Sequence, residues 1–205
     1  ADAIVRTAMK RLRAWGLLGA LLVSGGTARN EVYRYSKEGG RSTTPVFTLN
    51  APILDMALDA SGQLWLTTGH ELLLIDLSGT IIRRLSGPAQ EPLTHALAIH
   101  PGSGDLYVTS GNGIEIFRPQ ETDPTRAWRH FSNERVGDLA FGPDNRLWAV
   151  RWSGSDITSA TPNGTTDILS FFLDNLNSPH AGRAELEYRL NGPIDSLAFG
   201  ASGGV

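Results

Sequence analysis

The chain repeats one pattern, in which two short apolar runs flank a polar turn rich in Gly, Asp and Asn. The pattern occupies residues 53–68, 94–110 and 136–150, and it begins again at residue 194. The equivalent positions Leu64, Leu106, Leu147 and Val205 lie 42, 41 and 58 residues apart. Repeats of about 40 residues built from short strands are typical of β-propeller blades. The sequence therefore predicts an all-β chain, a β-propeller of four-stranded antiparallel blades with a period near 42 residues.

The repeats define three complete blades, at residues 53–86, 94–132 and 136–172. Another blade, partial or full, begins at Glu31, and a further one begins at Ile194. Propellers close with about four to eight blades, and an open stack would leave unpaired strand edges. We therefore expect residues 29–205 to be an incomplete propeller of about four blades plus the start of a fifth, with the remainder following Val205.

The blade at residues 136–172 contains two strand-like segments after its second strand. Residues 156–160 are predicted to be its third strand and residues 166–172 its fourth, joined by a Pro-Asn-Gly turn. Residues 173–189 then account for the longest step between repeats. We expect this extra segment to be a lengthened edge hairpin or a surface excursion.

Residues 1–28 carry a different pattern. Residues 9–13 are basic, residues 15–23 are apolar, and small residues follow at Gly26 and Ala28. This order is that of a secretory signal, and the apolar run is too short for a stable membrane-spanning helix. We expect residues 9–23 to be helical or disordered, the mature domain to begin near residue 29, and the protein to be exported. The alternative is a degenerate first blade, because LLVSGG at residues 21–26 precedes the matching LWLTTG by 43 residues.

Charge and composition narrow the classes of function. The formal net charge is −3, which argues against a nucleic-acid partner. Cysteine is absent, so disulfides, thiolate catalysis and cysteine-based zinc sites are excluded. The five histidines show no metal-ligand spacing, and the sequence contains no serine-nucleophile motif, phosphate loop or zinc motif.

Small and aromatic residues recur at fixed places in the repeat. Alanine lies between two large apolar residues in each first strand, at Ala57, Ala98, Ala140 and Ala198. Crowding where blades converge on the axis explains a small side chain there, so these alanines are predicted to lie nearest the axis. The second strands share an aromatic position, Trp65, Tyr107 and Trp148, which we interpret as packing between blades.

Two repeats carry a resemblance to known families: GDLAFGPDNRLWAV at residues 137–150 and DASGQLWL at residues 59–66. They resemble the NHL-repeat, gluconolactonase and streptogramin-lyase group of six- and seven-bladed propellers. They are also similar to propeller repeats in periplasmic sensor regions of bacterial two-component kinases. The resemblance covers residues 30–205 and implies the fold. Its matching positions are turn and packing positions, so it carries over no catalytic residue and no metal ligand.

Polar residues are concentrated on one predicted face of the propeller. The loops entering the first strands and the loops between second and third strands share this face, here called the loop face. They contain Asn50, His70, Asn112, Asn133, Glu134, Arg151, Trp152, Asp156 and Asn191. From these we predict a ligand site formed by His70, Asn112, Arg151, Trp152 and Asp156. An Arg-Trp pair beside a Gly-Ser loop can stack on and hydrogen-bond a planar molecule or a sugar. The alternative is an ordinary solvated loop with a half-buried tryptophan.

Two acidic residues hold the same place in the first strands of alternate repeats. Asp55 and Asp138 are equivalent, and the intervening repeats have Ala96 and Ser196 there. Two carboxylates near an axial channel could hold a divalent cation, Ca²⁺ or Mg²⁺, through oxygen ligands. The alternative is that each carboxylate accepts hydrogen bonds from the backbone of a neighbouring blade or from buried water.

Three hypotheses of function follow. The first is a non-catalytic propeller outside the cytoplasm that binds a protein, a small molecule or a carbohydrate on its loop face, because a rigid scaffold with variable loops suits binding. The second is an enzyme of lactonase or lyase type with a cation at the channel mouth. The third is a sensor propeller of a two-component system.

Overall fold

The computed structural model describes residues 20–36, 38, 40–76, 78–86, 93–119, 129–152, 165–173, 176, 181–192, 194 and 196–199. Every regular element in this part of the chain is a β-strand, and the strands number fifteen. No helix long and apolar enough to cross a membrane occurs among these residues.

The strands form four antiparallel sheets, which we call blades 1 to 4. Blade 1 contains β1 (Ala20–Gly25), β2 (Glu31–Ser36) and β3 (Phe47–Thr48). Blade 2 contains β4 (Asp55–Leu58), β5 (Leu64–Thr67), β6 (Glu71–Ile75) and β7 (Ile81–Ser86). Blade 3 contains β8 (Leu93–Ile99), β9 (Leu106–Ser110), β10 (Gly113–Phe117) and β11 (Arg129–Ser132). Blade 4 contains β12 (Asp138–Phe141), β13 (Leu147–Trp152), β14 (Thr165–Phe171) and β15 (Ala184–Asn191).

The blades are arranged as in a propeller. In blades 2 to 4 the strand order in space is the order in sequence, so the first strand of each blade lies at one edge of its sheet. The first strands contact one another, since β8 touches both β4 and β12. First strands that meet in this way surround a common axis. The prediction of an incomplete β-propeller with four-stranded antiparallel blades is therefore confirmed.

The N-terminal strand differs from its prediction. β1 pairs with β2 over Ala20–Gly25, and Leu22 is buried against Val32 and Phe47 in the core between blades 1 and 2. The expectation that residues 9–23 contain no blade strand is thus wrong for residues 20–23, where the degenerate-blade alternative applies. The apolar run of β1 gains a sheet partner in β2, to which a short turn joins it. Residues 1–19 lie outside the described part of the chain, and an exported, processed N-terminus stays a prediction.

The outer half of blade 4 was also predicted incorrectly. β14 pairs directly with β13, which makes Thr165–Phe171 the third strand. β15 pairs with β14, so the fourth strand comes from the segment predicted to be a lengthened edge hairpin or a surface excursion, and the pairing fits the edge hairpin. Residues 156–160, predicted to be the third strand, lie outside the described residues. The long step between repeats arises because two long connections, before β14 and before β15, enlarge an otherwise regular blade.

Alanine and aromatic residues pair across the first two strands of each blade. Ala57 lies opposite Trp65, Ala98 opposite Tyr107, and Ala140 opposite Trp148. The small residue leaves room for its large partner, a second reason for the alanines beside crowding near the axis. Trp65 and Tyr107 are each 2% exposed, and Trp148 is 9% exposed.

The aromatic position packs between blades, as predicted. Trp65 of blade 2 shares a core with Leu97, Val108 and Phe117 of blade 3. Tyr107 of blade 3 shares the next core with residues of blade 4, and its ring lies edge-on to Phe141 with centroids 5.3 Å apart. The cores thus lie between blades, and burial of this apolar surface holds neighbouring sheets together.

Candidate functional site

The predicted ligand residues lie on three different blades. His70 is exposed in the turn between β5 and β6, and Asn112 is exposed in the equivalent turn between β9 and β10. Arg151 and Trp152 are the last two residues of β13. None of the hydrogen bonds in the described part of the chain joins any two of His70, Asn112 and Arg151. Asp156 lies outside the described residues.

Arg151 is the predicted residue with the most defined surroundings. Its Nη1 donates to Glu134 Oε2 at 2.7 Å, and its Nη2 donates to Asp167 Oδ2 at 2.8 Å. Glu134 belongs to the loop that enters β12, whereas Asp167 is on β14. The guanidinium therefore links the loop that enters β12 to the third strand of the sheet. Both of its terminal nitrogens are held by a carboxylate.

Asp167 is the buried centre of this arrangement. Arg151, Asp167 and Arg189 are direct neighbours across β13, β14 and β15. Arg189 donates from Nε to Asp167 Oδ1 at 2.7 Å and from Nη2 to Asp167 Oδ2 at 3.1 Å. The Asp167 side chain is 1% exposed, compared with 33% for Arg151 and 56% for Arg189. A buried carboxylate between two arginines is a stable geometry only when its oxygens are hydrogen-bonded, as they are here.

The two arginines change the acidity of Asp167. The hydrogen bonds from Arg189 and then Arg151 lower the pKa of the Asp167 carboxyl to about 2, against the opposing effect of burial. The pKa of Arg151 is raised, chiefly by its hydrogen bond to Asp167 and further by Glu134. All three side chains are therefore charged at neutral pH.

A second polar cluster lies in blade 3. His130 Nδ1 is 2.9 Å from Oε1 of Glu115, a glutamate only 5% exposed, and His130 Nε2 is 3.0 Å from Asn133 Oδ1. Ser110 donates its hydroxyl to Glu115 at 3.4 Å. Asn133 and Glu134 are consecutive, so this cluster joins the cluster around Arg151 through the loop entering β12.

We call the combined set the junction network, because it crosses from blade 3 to blade 4. Its members are Glu115, His130, Asn133, Glu134, Arg151, Asp167 and Arg189. Asn133, Glu134 and Arg151 were predicted to lie on the loop face, whereas the other four residues were not predicted. The missed signal is a charged residue inside a buried strand, as with Glu115 in GIEIF and Asp167 in TTDILSF. Such a residue needs a partner, and here the partners are on adjacent strands.

The acidic pair proposed for a cation makes backbone hydrogen bonds in blades 2 and 4. Asp55 Oδ1 accepts from the amide of Met56 at 2.9 Å, and its Oδ2 accepts from the amide of Leu97 in blade 3 at 2.8 Å. Asp138 repeats this, with Leu139 at 2.9 Å and Leu197 of the following repeat at 2.9 Å. These are the contacts expected if the carboxylates bond to the backbone of a neighbouring blade rather than to a cation. Among the described residues, no group of three or more His, Cys, Asp or Glu side chains is placed to hold a metal ion.

The same geometry explains why the aspartates alternate with Ala96 and Ser196. Met56, Leu97, Leu139 and Leu197 are equivalent residues of successive repeats. Each aspartate uses one oxygen for the amide of its own blade and the other for the equivalent amide of the next blade. One carboxylate thereby serves two repeats, so the second repeat of each pair has no need of an acidic residue.

Replacement of Asp167 by asparagine is expected to destabilise the protein by about 2 kcal/mol near neutral pH. Because folding lowers the pKa of Asp167 from 3.8 to about 2, its contribution is present above pH 3.8 and is lost as the pH falls toward 2. Urea unfolding between pH 7 and pH 2 should show a shallower acid decline for Asp167→Asn. Glu185→Gln, at an exposed acid of β15, is the matched control and should retain the wild-type decline. An unchanged decline in Asp167→Asn would contradict this assignment.

Comparison with known proteins supports the fold. No protein-family model and no curated protein matches the chain. It superposes on a streptogramin B lyase with a TM-score of 0.54 and 14% identity, over 86% of this chain and 54% of that one. Virginiamycin B lyase from Staphylococcus aureus gives a TM-score of 0.49 and 17% identity, over 82% of this chain and 56% of that one.

The comparison concerns architecture alone. At 14% identity, the likeness to streptogramin B lyase supports a propeller fold and leaves activity open. The finer assignment to the NHL or gluconolactonase group stays a prediction. The chain spans about half the length of the solved structures it matches.

Proposed function

We propose that the chain is part of a non-catalytic β-propeller that binds a ligand on its loop face, at the junction network. The single observation that supports this most is the fixed position of Arg151 between Glu134 and Asp167. Donors held in place before a ligand arrives lose little conformational freedom on binding.

The chemistry of the network favours a ligand with hydroxyl and acidic groups. Arg151 and Arg189 are one-third and more than half exposed while both hold the buried Asp167. Their exposed guanidinium edges are hydrogen-bond donors, and Glu134 and Asn133 offer acceptors beside them. A carbohydrate presents donors and acceptors in this mixed way, and a protein surface with an exposed carboxylate is the other partner class that fits.

We further propose that the protein is exported and that a following blade continues the propeller. Export rests on the basic segment at residues 9–13, and N-terminal sequencing of the protein from cell-envelope fractions tests it. Completion rests on blade 4, where Tyr188 and Leu190 of β15 are 54% and 38% exposed. Tyr188 is equivalent to Leu85 of blade 2, which is fully buried beneath strands of blade 3. We propose that the second and third strands of a following blade cover this surface.

Arg151→Lys is expected to weaken carbohydrate binding at least tenfold, since lysine keeps the charge near Asp167 but loses the planar fork. The protein would first be applied to an array of mono- and oligosaccharides, and the strongest sugar then titrated by calorimetry. Arg135→Lys is the matched control, because Arg135 is exposed on the same loop and is not part of the junction network. Equal affinity of the wild type and Arg151→Lys, with both folded by circular dichroism, would contradict the proposal.

A further inference from the structure

A cleft of about 600 Å³ lies between blades 2 and 3, on the face opposite the loop face. Its walls are the turns that join β4 to β5 and β8 to β9, at residues 59–63 and 100–105. Its outer end is closed by Arg83 of β7, whose Nη1 donates to the carbonyl of Pro119 in blade 3. Ligand pockets in proteins commonly have volumes of about 300–1,000 Å³, so this cleft has room for a small molecule.

The floor of the cleft is apolar. It is formed by Leu58, Trp65, Leu74 and Ile99. Trp65 and Leu74 are 2% and 7% exposed and belong to the core that joins the two blades. A second cleft of about 460 Å³ continues toward the axis, shares Leu58 and Ile99 with the first, and is lined by Phe141 and Phe199. The apolar surface therefore extends beyond the first cleft.

Two turn residues fix the walls through their own hydrogen bonds. Asp59 Oδ1 accepts from the Ser61 amide and the Gln63 amide, both at 2.9 Å, and from the Ser61 hydroxyl at 2.6 Å. His100 Nδ1 accepts from the amides of Gly102 at 3.1 Å and Ser103 at 3.0 Å. Because Nδ1 is an acceptor, the neutral ring carries its proton on Nε2. Burial lowers the pKa of His100, which keeps the ring uncharged at neutral pH.

The positive charge in the cleft comes from Arg83. It is the only lysine or arginine among the described residues that line the cleft. The carboxylate of Asp59 also lines the cleft, and its Oδ1 accepts three hydrogen bonds from its own loop, whereas Arg83 is exposed and lies at the outer end of the apolar floor. An apolar surface that ends at a guanidinium matches a flat apolar body that ends in a carboxylate.

We infer that this cleft is a second binding site, for small aromatic carboxylates, with the ring against the partly exposed Leu58 and Ile99 and the carboxylate on Arg83. The site is separate from the junction network and differs from it in chemistry. It is independent of the proposed carbohydrate function, because the two sites share no residue.

The probe for this site is 2-naphthoate, with 2-naphthalenemethanol as its uncharged analogue. Titration of the full chain, followed by amide chemical shifts, should move the resonances of Gly102 and Ser103 in the wall. Arg83→Gln is expected to weaken 2-naphthoate binding about tenfold and to leave the weaker binding of 2-naphthalenemethanol little changed. Arg84→Gln is the matched control, since Arg84 is the next residue of β7 and its Nη1 bonds to Glu71 at 2.6 Å. Its binding of 2-naphthoate should equal that of the wild type.

A second variant tests the location without removing a charge. Ala60 is exposed on the wall, so Ala60→Trp should fold normally and block the cleft. We expect it to abolish binding of both probes. The proposal is overturned by an absence of saturable 2-naphthoate binding to the wild type, by equal losses in Arg83→Gln and Arg84→Gln, or by unimpaired binding to Ala60→Trp. Arg151→Lys should bind 2-naphthoate normally, which separates failure of this site from failure of the carbohydrate site.

Discussion

Trp65→Ala is expected to lower the free energy of unfolding by about 3–5 kcal/mol, the usual cost of removing a large buried aromatic side chain. Trp65 is 2% exposed and packs against Leu97, Val108 and Phe117 of the next blade. Its cross-strand partner Ala57 is too small to fill the space. The substitution therefore leaves a cavity between two blades. Urea unfolding monitored by far-ultraviolet circular dichroism measures the effect.

Trp148→Ala is the companion change at the equivalent position of blade 4. Trp148 packs edge-on to Phe199 with centroids 5.6 Å apart, and its Nε1 donates to Asp144 Oδ1 at 3.3 Å. It is 9% exposed, so we expect a loss near the lower end of the same 3–5 kcal/mol range. A loss below about 1 kcal/mol, the scale of a surface substitution, would show that the residue faces solvent or a ligand.

Asp55→Ala is expected to cost about 2–5 kcal/mol, because it leaves two buried amides, those of Met56 and Leu97, without this acceptor. The same change at Asp138 should have a similar effect through Leu139 and Leu197. Chemical unfolding of Asp55→Ala, Asp138→Ala and the double variant measures both losses. The two sites lie in different blades with β8 between them, so the losses should add.

Asparagine at position 55 separates the structural role from cation binding. The amide of asparagine has one oxygen acceptor, so Asp55→Asn should keep only one of the two backbone hydrogen bonds. Its free energy of unfolding should therefore lie between those of the wild type and Asp55→Ala. Addition of Ca²⁺ or Mg²⁺ should leave the unfolding midpoint of the wild type unchanged. A midpoint that rises with either cation in the wild type but not in Asp55→Asn would favour the cation hypothesis instead.

The architecture could be predicted from the sequence because each blade repeats the same local pattern. The apolar runs, the polar turns and the shared position of Trp65 and Trp148 all act over short distances, so they are visible in a single chain. Blade 4 shows the limit of this approach. Its third and fourth strands are separated by long connections, and the period alone did not show that Ala184–Asn191 is the strand that pairs with β14. Pairing between segments far apart depends on the whole sheet rather than on local preference.

The candidate site was harder to predict than the fold. Arg151 and Glu134 were visible as loop-face residues, but their partner Asp167 is buried on a strand that was assigned one place too far out. Arg151, Asp167 and Arg189 are neighbours only in the observed register of the three strands. A shift of one residue in that register would turn a strand's side chains to the other face of the sheet. The cleft beside Arg83 was missed for another reason. It forms between two blades, from turns that look like ordinary connections in the sequence.

The shared aspartates also link the blades in pairs. Each carboxylate accepts hydrogen bonds from its own repeat and from the next one. The unit that can be duplicated with all its hydrogen bonds is therefore two blades. Loss or duplication of one blade would set two aspartates against the same amide or leave an amide with none, whereas a change by two preserves every bond. In the described part of the chain, the unit that repeats with all of these hydrogen bonds is therefore a pair of blades.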